Sequence, residues 1–217
     1  MPTDTRSDPF ELGPPLARAT AGQLHLSGGA GTVHLSADTR YRAQDGAEPL
    51  CRLRFHGDQP RVHADGGILD IHYPHSAPGR SARSAAIAMS PQIPWSITLT
   101  GGLNRLYADL GGLALHAVKF SGGSNRLDLR LPVPAGDVPV RISGGVNELS
   151  LIRPEHVAVA VRLTGGASHV SLDGQRLGQI GDRLRWTSCQ DVELHRRYTL
   201  DLTGGVNQIS LIMGTPA

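Results

Sequence analysis

The sequence predicts an all-β fold: a single-domain β-solenoid of stacked, roughly 21-residue two-strand coils with Gly-Gly bends. Three observations predict it. One short unit recurs six times along the 217 residues, apolar residues alternate by two on both sides of a glycine pair, and the composition is 39% hydrophobic but only 4% aromatic. Such a core must be built from Leu, Val and Ile, which suits strands better than a deep aromatic pocket.

Aligned on the glycine pair, the six copies are residues 24–35 (LHLSGGAGTVHL), 97–108 (ITLTGGLNRLYA), 118–129 (VKFSGGSNRLDL), 140–151 (VRISGGVNELSL), 161–172 (VRLTGGASHVSL) and 200–211 (LDLTGGVNQISL). The first glycines are Gly28, Gly101, Gly122, Gly144, Gly165 and Gly204. From Gly101 to Gly165 they are spaced 21, 22 and 21 residues apart, and the next gap of 39 is close to two periods.

Counted from the first glycine, positions −4, −2, +5 and +7 are apolar in every copy, with only Ala108 small. Alternation by two on each side means strands with one buried face. Position −1 is always Ser or Thr, and position +3 is Asn104, Asn125, Asn147 or Asn207 in four copies. Glycine permits positive φ at a sharp bend. The flanking hydroxyls and amides can satisfy bent backbone groups, and stacked Asn side chains can bond to one another. An antiparallel meander of hairpins fits the alternation too. The parallel solenoid is preferred because identical residue types recur in register, as stacked repeats require.

The predicted organisation is an N-terminal tail or cap over 1–18 and a β-solenoid over 19–217. Its regular repeats are 97–172 and 200–212, and its irregular coils are 36–94 and 173–199. Within 36–94, alternation is visible near residues 51–55, 61–63 and 68–73, and 76–84 (SAPGRSARS) reads as a surface loop. The last unit runs to Leu211 and Ile212, close to Ala217. That places it at an open end of the stack, with an exposed strand edge suited to homodimerisation.

The run from 97 to 212 resembles the toastrack, or putative-adhesin, β-solenoid family. It is similar to LiaF-like C-terminal domains, especially those of an uncharacterised actinobacterial branch. The motifs that carry the resemblance are PWSITLTGG, LPVPAGDVPVRISGG, Arg153-Pro154 before an alternating run, VRLTGGASHVSLDG and YTLDLTGGVNQISLI. The resemblance implies a stacked β-sheet domain with scaffolding or sensory roles, linked to envelope-stress signalling, and no catalytic residues to transfer. Unlike LiaF-like proteins, this sequence shows no membrane segment.

Charge and motifs exclude several classes. The net charge of +2 gives no global pull toward nucleic acid. The polar, Pro-rich start lacks an apolar signal region and no apolar run of membrane-spanning length occurs, so the expected compartment is cytoplasmic. Cys51 and Cys189 are too few for a disulfide framework and read as two reduced thiols. Of the histidines only His72-x-x-His75, near Asp70 and Tyr73, has ligand-like spacing, and nothing completes a metal site. No nucleophile elbow or phosphate loop occurs, so no catalytic residue, cofactor or metal is assigned.

One surface feature stands out. Position −3 points outward and reads His25, Thr98, Lys119, Arg141, Arg162 and Asp201. Stacked in sequence order, Lys119, Arg141 and Arg162 form a basic column, with Arg105 and Arg126 (position +4) near the same bend; such a stripe suits an anionic partner. The function expected is a non-enzymatic scaffold or protein-interaction module, self-associating through a solenoid end. The alternative is a cofactor-independent enzyme or small-molecule-binding accessory protein with a pocket in the irregular coils. Its first suspects are His72, Tyr73, His75, Trp186 and His195.

Overall fold

The computed structural model describes residues 10–16, 19–38, 49–74, 83–188 and 196–214. The chain opens with β1 (Phe10–Leu12) and builds its first Gly-Gly unit from β2 (Gly22–Ser27) and β3 (Ala30–Ala37). The irregular stretch then supplies β4 (Cys51–His56), β5 (Arg61–Asp65), β6 (Ile68–His72) and β7 (Ser84–Met89). Regular units follow as β8 (Pro94–Thr100) with β9 (Leu103–Asp109), and β10 (Ala114–Ser121) with β11 (Ser124–Arg130). The next two are β12 (Asp137–Ser143) with β13 (Val146–Pro154), and β14 (Ala158–Thr164) with β15 (Ala167–Leu172). An arm of β16 (Gln175–Ile180) and β17 (Arg183–Thr187) precedes the last unit, β18 (Arg197–Thr203) with β19 (Val206–Gly214).

In the six repeated units, the strands before the glycine pair lie in a 9-stranded sheet and those after it in a 10-stranded sheet. The glycine pair is therefore a corner between two sheets, and successive units pair in parallel, as in β8–β10–β12 and β9–β11–β13. The meander is ruled out. The corner has its own hydrogen bonds: Gly122 N–H donates to the Ser143 carbonyl at 2.9 Å, Ser124 N–H to the Gly145 carbonyl at 2.9 Å and Val146 N–H to the Gly205 carbonyl at 3.0 Å. The ladder thus runs unbroken round the bend, leaving few orphan backbone groups.

Glycine is needed here for two reasons. Gly144 has φ of 121°, where a side chain is strained. A Cβ on Gly144 would also fall inside the carbonyl of Gly122, which stacks directly against it.

Both inward faces meet in one core. All residues at −4, −2, +5 and +7 are buried, none more than 4% exposed. A fifth row at +2, unread in the sequence because it includes Ala30, Ala167 and Ser124, is buried with them. Each fully buried Leu, Ile or Val contributes about 1.5–3 kcal/mol, so the columns dominate the fold's stability.

The coils do not stack in chain order. The last unit lies between the third and fourth regular units: β18 pairs with β12 and β14, and β19 with β13 and β15. The first unit is likewise interleaved, with β2 between β6 and β8 and β3 between β7 and β9. The expected open last coil is therefore corrected to an interior coil. What ends the stack is a reversed coil on each side. β17 and β16 pair antiparallel with β14 and β15, and β5 and β4 pair antiparallel with β6 and β7. β1 adds a short antiparallel edge beyond β4.

Two sequence motifs meet to fix the arm that leads to β16. Arg153 of the Arg-Pro pair is only 1% exposed. Its Nη2 donates to Asp173 Oδ2 at 2.6 Å, its Nε to Oδ1 at 3.3 Å and its Nη1 to the Val157 carbonyl at 2.7 Å. Asp173 holds a left-handed turn at φ 47°.

Two outcomes are expected in urea unfolding. Gly144→Ala should cost on the order of 3 kcal/mol, while Gly145→Ala, whose Cβ meets nothing within 4 Å, should stay within about 1 kcal/mol. Equal effects would contradict the corner stacking. Asp173→Ala should cost about 3 kcal/mol by stranding the buried Arg153 charge.

Candidate functional site

On the outer face of the 9-stranded sheet, the register places one residue from each strand in a row. It reads His63, Asp70, His25, Thr98, Lys119, Arg141, Asp201, Arg162 and Arg185. Lys119 and Arg141 are neighbours, but Asp201 stands between Arg141 and Arg162. The basic column inferred from chain order is corrected: it is interrupted, because the last coil inserts where it does. Arg162 instead faces Arg185 of β17.

Arg105 and Arg126 are neighbours on β9 and β11, in the other sheet, followed by Glu148 on β13. Arg126 Nε donates to Asp128 Oδ2 at 2.7 Å and its Nη1 to Glu148 Oε2 at 3.3 Å. The Asp128 hydrogen bond, then its charge, pushes the Arg126 pKa up. The lysine and four arginines expected to line one stripe therefore form two separate groups on different sheets, partly neutralised by their neighbours.

The residues suspected for a pocket are also divided. His72 Nδ1 and Ser27 Oγ are 3.0 Å apart, and His25 Nδ1 lies 3.0 Å from Asp70 Oδ1. A hydroxyl–imidazole pair needs an orienting group to make a nucleophile. The nearby carboxylate is engaged by His25, and Ser27 is the repeated bend residue. Trp186, on β17, sits at the opposite end of the sheet and donates Nε1–H to Gln175 Oε1 at 3.2 Å. His75, His195 and Cys189 lie outside the described residues. Among the described residues no three His, Cys, Asp or Glu side chains are grouped to hold a metal ion.

Tyr73 is fully buried under the first corner, edge-on to Phe55 at 6.4 Å. Burial pushes its hydroxyl pKa up to about 12, with Arg83 pulling the other way. Arg83 lies 5.3 Å from the Tyr73 ring centre and donates to Asp58 Oδ2 and to the carbonyls of Gly29 and Pro74. Beside them a surface cavity of about 510 Å³ is lined by Ser27, Tyr73, Pro74, Arg83 and glycines of two corners. Arg83 was missed by the sequence reading because it falls in the stretch read as loop.

The ends hold a second feature. Half-buried apolar side chains flanking the core gather there: Val62 and Ala64 on β5, and Ile180, Leu184 and Trp186 on β16 and β17. Both β5 and β17 show strict alternation, exposed polar residues outward and half-buried apolar residues inward. Among the described residues neither strand has a partner on its outer side. The alternation at 183–187 (RLRWT) is a strand signal that lies inside the stretch expected only as an irregular coil.

No helix among the described residues is long and apolar enough to cross a membrane. A crystal structure of a "putative cell adhesion protein" from Clostridium sporogenes matches with a TM-score of 0.70 at 17% identity, over 95% of this chain and 100% of that one. A "putative adhesin" from Bacteroides fragilis aligns over 93% of this chain and 96% of that one at 9% identity and a TM-score of 0.30. The first shows a shared fold, in keeping with the expected β-solenoid. No protein-family model and no curated protein matches the chain.

Cys51 is 1% exposed, and burial pushes its thiol pKa up to about 12. At about pH 8 it is therefore held as the unreactive thiol. Iodoacetamide should leave Cys51 unmodified in the native protein, with labelling that follows global unfolding in peptide mass spectrometry. Rapid native labelling would contradict the buried assignment.

Proposed function

We propose that this protein is a non-enzymatic β-solenoid scaffold that binds protein partners at the ends of its stack. The observation that carries the reading is the pair of alternating edge strands, β5 and β17, which among the described residues have no outer partner and are each backed by half-buried apolar side chains. An edge of this kind offers main-chain hydrogen bonds for affinity and alternate side chains for specificity. The regular middle is given over to stacking: its repeated Ser, Asn and Gly residues hold the corners. The LiaF-like affiliation, and envelope-stress signalling with it, is a finer proposal that rests on the sequence motifs.

Self-association is a second finer form of the reading. With β18 and β19 inside the stack, the edge strands at its ends are what support it.

A small-molecule binder is the second reading, favoured by the 510 Å³ cavity beside Tyr73 and Arg83. Gly102 lines it, and a Cβ there meets nothing within 4 Å. A ligand raising the melting temperature of the native protein but not of Gly102→Phe would support it.

The end-binding reading has its own optical probe. Trp95 is fully buried, whereas Trp186 on β17 is half-buried. A peptide alternating Glu and Val should dock along β17, facing Arg183 and Arg185, and shift Trp186 emission to the blue. R183E/R185E should weaken it about tenfold or more. If no extended peptide, acidic, neutral or basic, perturbs Trp186, the reading fails at this end.

A further inference from the structure

The two ends differ in one respect that decides which can meet a second copy of the chain. Edge strands pair antiparallel about a two-fold axis when the same patch is complementary to itself. On β17 the outward residues are Arg183, Arg185 and Thr187. A two-fold pairing centred on Arg185 would set two arginines face to face, which is destabilising.

On β5 the outward residues are Arg61, His63 and Asp65, and the inward ones Val62 and Ala64. A two-fold pairing centred on His63 brings Arg61 of one copy opposite Asp65 of the other, twice. The same register sets Val62 opposite Ala64 of the second copy and continues the apolar row across the junction. Among the described residues no side-chain hydrogen bond or ion pair engages Arg61 or Asp65, so both side chains are available to a second copy. Ile68, which pairs with Asp65 across the β5–β6 ladder, is 39% exposed and lies beside the same edge.

We propose that β5 is a self-complementary docking edge through which two copies of this chain pair antiparallel, with His63 on the two-fold axis. The pairing joins the 9-stranded sheets of two molecules into one continuous sheet. It deepens the end-binding reading by naming the partner at one end as a second copy, and it rests on that reading. Mixed charge is what separates this edge from a guarded one: a row of like charge repels its own copy, while the series Arg61, His63, Asp65 reads as its own complement when reversed. Its geometry is also closed, because an isologous contact made by β5 on both copies leaves no further β5 edge free and stops at the dimer.

Charge swaps test the register directly. In sedimentation velocity over a concentration series, the native chain should form a dimer. R61D sets a new carboxylate opposite Asp65 of the second copy, and D65R sets a new guanidinium opposite its Arg61. Each alone should weaken dimerisation about tenfold or more. In an equimolar mixture, one copy of R61D and one of D65R face each other with two carboxylates against two guanidiniums. That mixture should recover the dimer as a mixed species. The double swap R61D/D65R should dimerise as the native chain does.

Both substituted side chains are exposed, and an unchanged melting temperature confirms folding of each variant. A native chain that stays monomeric while the Glu-Val peptide still perturbs Trp186 overturns the β5 proposal alone. So does a dimer indifferent to the single swaps, or one that the mixture fails to restore. A monomeric chain with no peptide response at β17 overturns the end-binding reading as well.

Discussion

The fold depends on one close approach: the carbonyl of each corner glycine lies where the next glycine's Cβ would be. Gly28, Gly101, Gly122, Gly144, Gly204 and Gly165 form this column in space, each against the next. The contact requires positive φ and no side chain, and only glycine meets both conditions cheaply. Once the corners stack, their hydrogen bonds fix the register of both sheets at once. A slip by one residue would turn every inward Leu, Val and Ile to solvent. Corner and core therefore enforce the same register from opposite sides of the chain.

The order of the coils is a separate matter, since the glycine column accepts any unit next to any other. Side chains at the corner carry that information. Asn125 Nδ2 donates to Asn104 Oδ1 at 3.1 Å, and Asn207 Nδ2 to Asn147 Oδ1 at 3.0 Å. Inserting the last unit after the third regular unit puts Asn207 beside Asn147, whereas chain order would put Ser168 there. The same insertion sets Asp201 between Arg141 and Arg162, which chain order would leave as a like-charged pair. Both rows favour the observed arrangement, by ladder bonding in one and by relief of repulsion in the other.

The unit itself was readable from sequence because its rules are local. Alternation names the buried positions, and the glycine pair names the bend. The strands near 51–55, 61–63 and 68–73 were readable for the same reason. Stacking order was not, because inward rows that are all apolar name no particular coil as the neighbour. The signal lay in the exceptions to the repeat: the coil with Ser168 in place of Asn, and the coil with Asp201 in place of a cation. The basic column failed as a contiguous feature for this reason alone. The cavity residue Arg83 was hidden differently, since its partners Asp58 and Gly29 are brought to it by distant segments. No spacing in the chain encodes that meeting.

Interleaving also explains why the stack has definite ends. With the first and last units both placed inside, the terminal positions fall to segments outside the six repeated units. A reversed coil can bond to the last parallel strand but cannot continue the glycine column. At one end Gly165 N–H donates instead to the Asp182 carbonyl at 2.7 Å. At the other, the carbonyl of Tyr73 takes the place of a glycine carbonyl beneath Gly28. Reversal thus halts growth by the repeat rule while leaving strand edges at each end, among them β5 and β17 of the 9-stranded sheet. The outward charges on those edges then decide what can be added. On β17 they share one sign, which selects against a copy of the chain; on β5 they alternate in sign about a centre. The specificity of the molecule is consequently written where the repeat stops, in a few residues that the repeat does not constrain.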